Sequence, residues 1–80
     1  MEGKESIEPI EQYVIDAVRE RRTKLGISQE RLAFELNVSK GFIANVENIN
    51  YRAKYNIRHL NELSKLLNCS PRDFLPPEPL

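Results

Sequence analysis

The segment from Ser28 to Asn48 constrains this chain most, because its turn residues and its apolar spacing agree on one geometry. Ser28 can cap a helix that carries Leu32, Ala33 and Leu36 on one side, and Asn37, which tolerates a left-handed backbone, can end it. Two residues later Ser39 can cap another helix, which places Ile43 and Val46 together and runs to about Asn48. Ala33 falls where the two helices would cross, and its methyl group allows an approach that a bulkier side chain would block. Val38, the single apolar residue of the turn, would plug the corner. The spacing predicts two short helices locked at a tight angle.

Helical periodicity continues on both sides. Ile10, Tyr13, Val14, Ala17, Val18 and Leu25 recur at three and four, with Pro9 suited to a first turn and Gly26 to a left-handed C-terminal position. From Ile49 to Asn56 the period is lost, and Asn, Tyr, Arg and Lys make a polar, basic loop. Asn56 can cap a fourth helix with Ile57, Leu60, Leu63, Leu66 and Leu67 inward and Asn68 at its end. Ser70, Pro71 and Asp73 then suit one last turn that directs Phe74 and Leu75 to the core. No stretch has the pattern of a strand or hairpin.

The expected architecture is all-α, with five helices. An 80-residue chain buries only about 60 to 65% of its unfolded surface, too little to divide between two cores. One domain is therefore expected over 9–75, after a flexible polar segment 1–8 and before a tail 76–80 in which Pro76, Pro77 and Pro79 forbid helix.

With 40% hydrophobic and 30% charged residues, the composition is that of a soluble globular chain rather than a disordered one. No apolar run approaches the ~20 residues that cross a bilayer, and no apolar signal segment opens the chain, so a cytoplasmic location is expected. The lone Cys69 excludes an intramolecular disulfide, and with His59 as its single nitrogen partner it cannot complete a zinc site. No metal or cofactor is expected. Enzyme chemistry finds no glycine-rich phosphate loop, nucleophile elbow or paired histidine and carboxylate motif. His59 and Cys69 both read as structural residues.

The zero net charge hides segregation. Met1 to Glu20 holds two bases and six acids, Arg21 to Lys65 nine and four, and Leu66 to Leu80 one and two. A basic middle suits a polyanion partner, although a solvated helical face has the same composition.

Ser28 to Asn48 has the arrangement of a helix-turn-helix unit. Around it stand Thr23-Lys24-Leu25-Gly26, Ile27-Ser28-Gln29-Glu30, Leu32-Ala33, Val38-Ser39, Ile43 and Val46-Glu47-Asn48, in that order. With these motifs the chain resembles the DNA-binding domains of the Cro and phage-repressor type over roughly Tyr13 to Leu75. The later Leu60-Asn-Glu-Leu-Ser-Lys-Leu-Leu and Ser70-Pro-Arg-Asp-Phe-Leu are similar to the last two helices of that family.

The resemblance implies a small transcriptional regulator, a repressor first of all, that binds duplex DNA with its third helix in the major groove and its second across the backbone. Lys40, Gly41, Phe42, Ala44 and Asn45 are then the base-reading set. Lys40 can donate to guanine, and Asn45 can accept from and donate to adenine at once. Gly41 replaces a polar residue common in relatives and removes one base contact; Phe42 can reach a thymine methyl or pack in the core. Ser28, Gln29, Ser39, Asn48, Arg52 and Lys54 form the phosphate set, with Gln29 in a first turn that favours anions. Ser28 can equally be a cap alone, and the loop bearing Arg52 and Lys54 can equally be only solvated.

Two charges fall where the period places apolar residues. Arg22 lies inside the stripe of the first helix and Glu47 at the inward edge of the third, so the two should meet. Relatives are similar in pairing an arginine and a glutamate there. The rival reading of the whole chain is an antitoxin-like or adaptor protein-binding module on the same fold, to which neutral charge is suited. For a DNA binder, neutral charge favours a homodimer, with the C-terminal turn and the Phe74-Leu-Pro-Pro tail as candidate pairing surface.

Overall fold

The computed structural model describes residues 7–80. It holds four α-helices, α1 (Pro9–Lys24), α2 (Gln29–Leu36), α3 (Lys40–Val46) and α4 (Ile57–Leu67), and a closing 3-10 turn, Pro71–Phe74. The expectation for segment 1–8 falls largely on residues 1–6, outside the described residues. Glu8 caps α1, with its N–H donating to Glu11 Oε1 at 2.8 Å.

Helix starts follow from side-chain caps. Ser28 Oγ accepts from the Arg31 N–H, Ser39 Oγ from the Phe42 N–H and Asn56 Oδ1 from the His59 N–H. Ser70 and Asp73 share the last turn, where the Ser70 N–H donates to Asp73 Oδ2 at 2.9 Å. Helix stops are left-handed residues at Gly26, Asn37 and Asn68. Beyond each, the next N–H folds back onto the helix: Ile27 to the Arg22 carbonyl, Val38 to Ala33 and Cys69 to Ser64. The chain therefore reverses within a few residues at each stop, and α2 and α3 meet at the tight corner that Val38 partly fills.

One core joins all elements: Val14 and Val18 of α1, Leu32, Ala33 and Leu36 of α2, Ile43 of α3, Leu60, Leu63 and Leu67 of α4, and Phe74. Arg21 and Asp73 also approach to 3.8 Å between α1 and the last turn.

Several expectations of inward residues need correction. Ile57 is 81% exposed because, as the first residue of α4, it projects past the end of the core. Leu75 follows the 3-10 turn on an extended backbone and is exposed, whereas Phe74 is fully buried. Ile10, in the first turn of α1, and Leu25, just past its last residue, are exposed; Tyr13 is exposed as well, while Ile15 is buried. The third helix ends at Val46, before Asn48, because Asn48 turns its side chain to the Asn50 N–H.

Candidate nucleic-acid interface

On α3, Ile43 and Val46 are buried, which leaves Lys40, Gly41 and the following Asn48 exposed and Ala44 and Asn45 half-buried beside them. The Ser28 and Ser39 hydroxyls accept cap bonds and keep their own protons free to donate. Asn48 Oδ1 accepts from the Asn50 N–H at 2.9 Å, and its amide N–H groups stay available. Phe42 turns inward. Its ring is half-buried, with its centroid 5.5 Å from that of His59 and 6.4 Å from that of Tyr55.

The helix pair is fastened to α1 by a charged network. Arg22 donates from Nε to Glu47 Oε2 at 2.9 Å, from Nη2 to Glu47 Oε1 at 2.8 Å and from Nη1 to the Ile27 carbonyl at 2.9 Å. Gln29 Nε2 donates to the same Glu47 Oε1 at 2.9 Å. Glu47, which caps the C-terminus of α3, thus holds a base from α1 and the first residue of α2 together. Three charge-assisted bonds satisfy the carboxylate, which makes its burial tolerable. Gln29 keeps a second amide N–H for another acceptor.

The loop after α3 divides the remaining bases. Arg52 is exposed and makes no ion pair among the described residues, whereas Lys54 Nζ reaches Glu11 Oε2 on α1 at 2.9 Å. The Glu8 N–H first, and Lys54 next, hold the Glu11 carboxyl below its ordinary pKa. Tyr55 packs behind α3, and burial first, then the Glu47 charge, pushes its ionisation well above the ordinary phenol range.

A helix-turn-helix family profile matches residues 18–74. The chain belongs to this family. Helix-turn-helix proteins of the Cro and phage-repressor type are DNA-binding transcription regulators, and this chain is one of them. Among solved structures the fold matches the restriction-modification controller protein C.AhdI from Aeromonas hydrophila, at 27% identity and a TM-score of 0.67. The match covers 79% of this chain and 92% of that one. Among curated proteins no sequence match is significant. Among the described residues no helix is long and apolar enough to cross a membrane.

Arg58 of this helix-turn-helix protein, which no sequence motif singles out, stands exposed in the first turn of α4 and makes no ion pair among the described residues. A base two residues after a capping asparagine, at the end of a basic loop, is the sequence signal for it. The Gln29 to Glu47 bond is likewise announced by no periodicity, because it depends on how α2 docks on α3.

Proposed function

We propose that this protein is a cytoplasmic repressor that binds duplex DNA sequence-selectively as a homodimer, with α3 in the major groove and α2 across the phosphate backbone. The observation that carries the reading is the division of α3 into a buried edge, Ile43 and Val46, and a free side on which Lys40 is exposed and Asn45 half-buried. Lys40 donates to a guanine and Asn45 pairs with an adenine. Gly41 and Ala44 let the helix sit close to the bases, and the outer edge of the Phe42 ring meets a thymine methyl. Ser28, Gln29, Ser39, Asn48, Arg52 and Lys54 hold phosphates on either side, and Lys54 exchanges its Glu11 partner to do so. Residues 9–75 act as the binding unit and 76–80 as a tail. Similarity to a restriction-modification controller protein supports a regulator's role.

Pairing is supported by one face of the molecule. Ile57 projects at the rim of a groove of about 430 Å³ lined by Ile10, Val14, Tyr55, Leu60 and Leu75, with Glu11, Lys54 and Asn56 along its polar side. A projecting side chain beside a groove on one face suits an isologous contact with a second copy, and a net charge of zero opposes it little. Two copies also double the phosphate contacts of a chain with no surplus of bases.

The test is selection from a random duplex pool at low salt, followed by sizing of the complex. The expected product is a palindrome with half-sites about one helical turn apart, ~34 Å, bound by two chains, with affinity that falls steeply as salt rises. Recovery of no preferred duplex overturns the reading in favour of a protein-binding module.

A further inference from the structure

His59 is buried at 6% exposure and sits where α3, α4 and the connecting loop converge. Its backbone N–H donates to Asn56 Oδ1 at 2.8 Å, and its ring Nδ1 accepts the Asn56 N–H at 3.0 Å, so it is the returning half of the capping box of α4. In that role a glutamate or glutamine is usual, and either keeps an acceptor oxygen there at neutral pH. An imidazole accepts only while it is neutral. The ring lies 5.5 Å from the centroid of Phe42, on α3, and 6.0 Å from that of Tyr55 in the loop.

We propose that His59 is a positioning residue for DNA binding: its neutral imidazole closes the α4 cap while supporting Phe42 from beneath, and protonation of the ring loosens the seat of α3. The role rests on the reading of α3 as the DNA-contacting helix.

Protonation has three consequences of one sign. Nδ1 becomes a donor and faces another donor, the Asn56 N–H, so that arm of the cap opens. The new charge lies at a helix N-terminus, where the dipole repels cations. It also lies in a site shielded from water, which disfavours any charge. The faces of Phe42 and Tyr55 offer a cation–π attraction of opposite sign, but neither ring can replace the lost hydrogen bond. The charged group acting on the imidazole is Arg58, on its own helix. The loop presents Tyr55, which stays neutral, and α3 presents Phe42, which cannot titrate. Burial first, and Arg58 second, hold the imidazole below the ordinary histidine pKa. The sign follows: below pH ~6.5 the unfolded chain takes up this proton before the folded one, so stability falls with pH from there until the folded imidazole itself is protonated.

The sole histidine of the chain makes the test clean, because its side chain is the one whose ordinary pKa lies between pH 5 and 8. His59→Gln keeps an acceptor for the Asn56 N–H and does not titrate. Affinity for the duplex selected from the random pool is measured by fluorescence anisotropy at pH 7.5 and at one pH unit below the His59 ring midpoint read by NMR, at constant ionic strength, for the full chain and for this variant, with circular dichroism at both pH values to show that each is folded. The wild type should lose about fivefold on acidification, the worth of one capping bond, while His59→Gln changes less than about twofold. In NMR spectra of the free protein the α3 amides should shift with the same midpoint as the His59 ring. A parallel loss in both proteins, a wild type indifferent to pH, or α3 amides that ignore the His59 titration would overturn the role. A wild type that binds no duplex at pH 7.5 overturns the DNA reading and this role with it, and is distinguished by failing before any acidification.

Discussion

Arg22 and Glu47 stand 25 residues apart in sequence and meet through two parallel hydrogen bonds of 2.9 and 2.8 Å, with side chains only 13% and 5% exposed. The contact crosses from α1 to the end of α3, so it fixes the angle at which the candidate reading helix leaves the core. Removing one partner strands the other charge away from water. Arg22→Met and Glu47→Gln should each cost roughly 2 to 4 kcal/mol in chemical denaturation, and the double variant should show coupling above ~1 kcal/mol. Coupling near zero would mean that the geometry is held by packing alone.

How much of this was legible follows from the range of each interaction. The caps at Ser28, Ser39, Asn56 and Ser70 and the left-handed stops at Gly26, Asn37 and Asn68 are local, and each was readable from its own few residues. The Arg22 to Glu47 pair spans the fold, yet two charges inside apolar stripes have to find each other, so periodicity was enough. Ile57 and Leu75 keep the period or composition of a core segment but lie past its ends, and only the assembled neighbours decide that. His59 as a cap partner was hidden for another reason: a ring nitrogen is an unusual substitute for a carboxylate at that position.

Tyr55 offers a test of opposite sign. Its hydroxyl is buried and has no hydrogen-bond partner among the described residues, while its ring packs on Phe42 and His59. Tyr55→Phe keeps the ring and deletes the unpaired group. Stability in urea should stay level or rise by up to about 1 kcal/mol. A loss larger than that would show that the hydroxyl is bonded in solution.

Gly41, the second residue of α3, stands where nothing in the fold requires glycine. Its φ is not positive, and a Cβ there would meet only Ser39 Oγ, at an ordinary 3.8 Å. Gly41→Ala should therefore stabilise the fold by about 0.5 to 1 kcal/mol, because glycine surrenders more backbone freedom in a helix than alanine does. If α3 lies against base edges, the same methyl narrows the approach. A raised melting temperature with weakened binding to the selected duplex would then separate a glycine kept for DNA from one kept by the fold.

Base reading and phosphate holding make different demands on Lys40, Asn45 and Arg52, and those demands can be told apart. Lys40 and Asn45 flank the exposed edge of α3, and neither side chain makes a hydrogen bond to another described residue, so truncating them leaves no internal partner orphaned. Lys40→Ala or Asn45→Ala should cost roughly 1 to 3 kcal/mol on the selected duplex and relax preference at particular base pairs. Arg52→Ala should instead weaken every duplex alike and reduce the slope of log affinity against log salt by about one, since each neutralised phosphate releases its own counterion. Binding is measured against single base-pair variants of the selected site over a salt series, with melting temperatures alongside. A uniform loss for Lys40 and Asn45 would move both to the phosphate set and leave α3 as a backbone clamp, because a contact that carries base information cannot be indifferent to which base it meets.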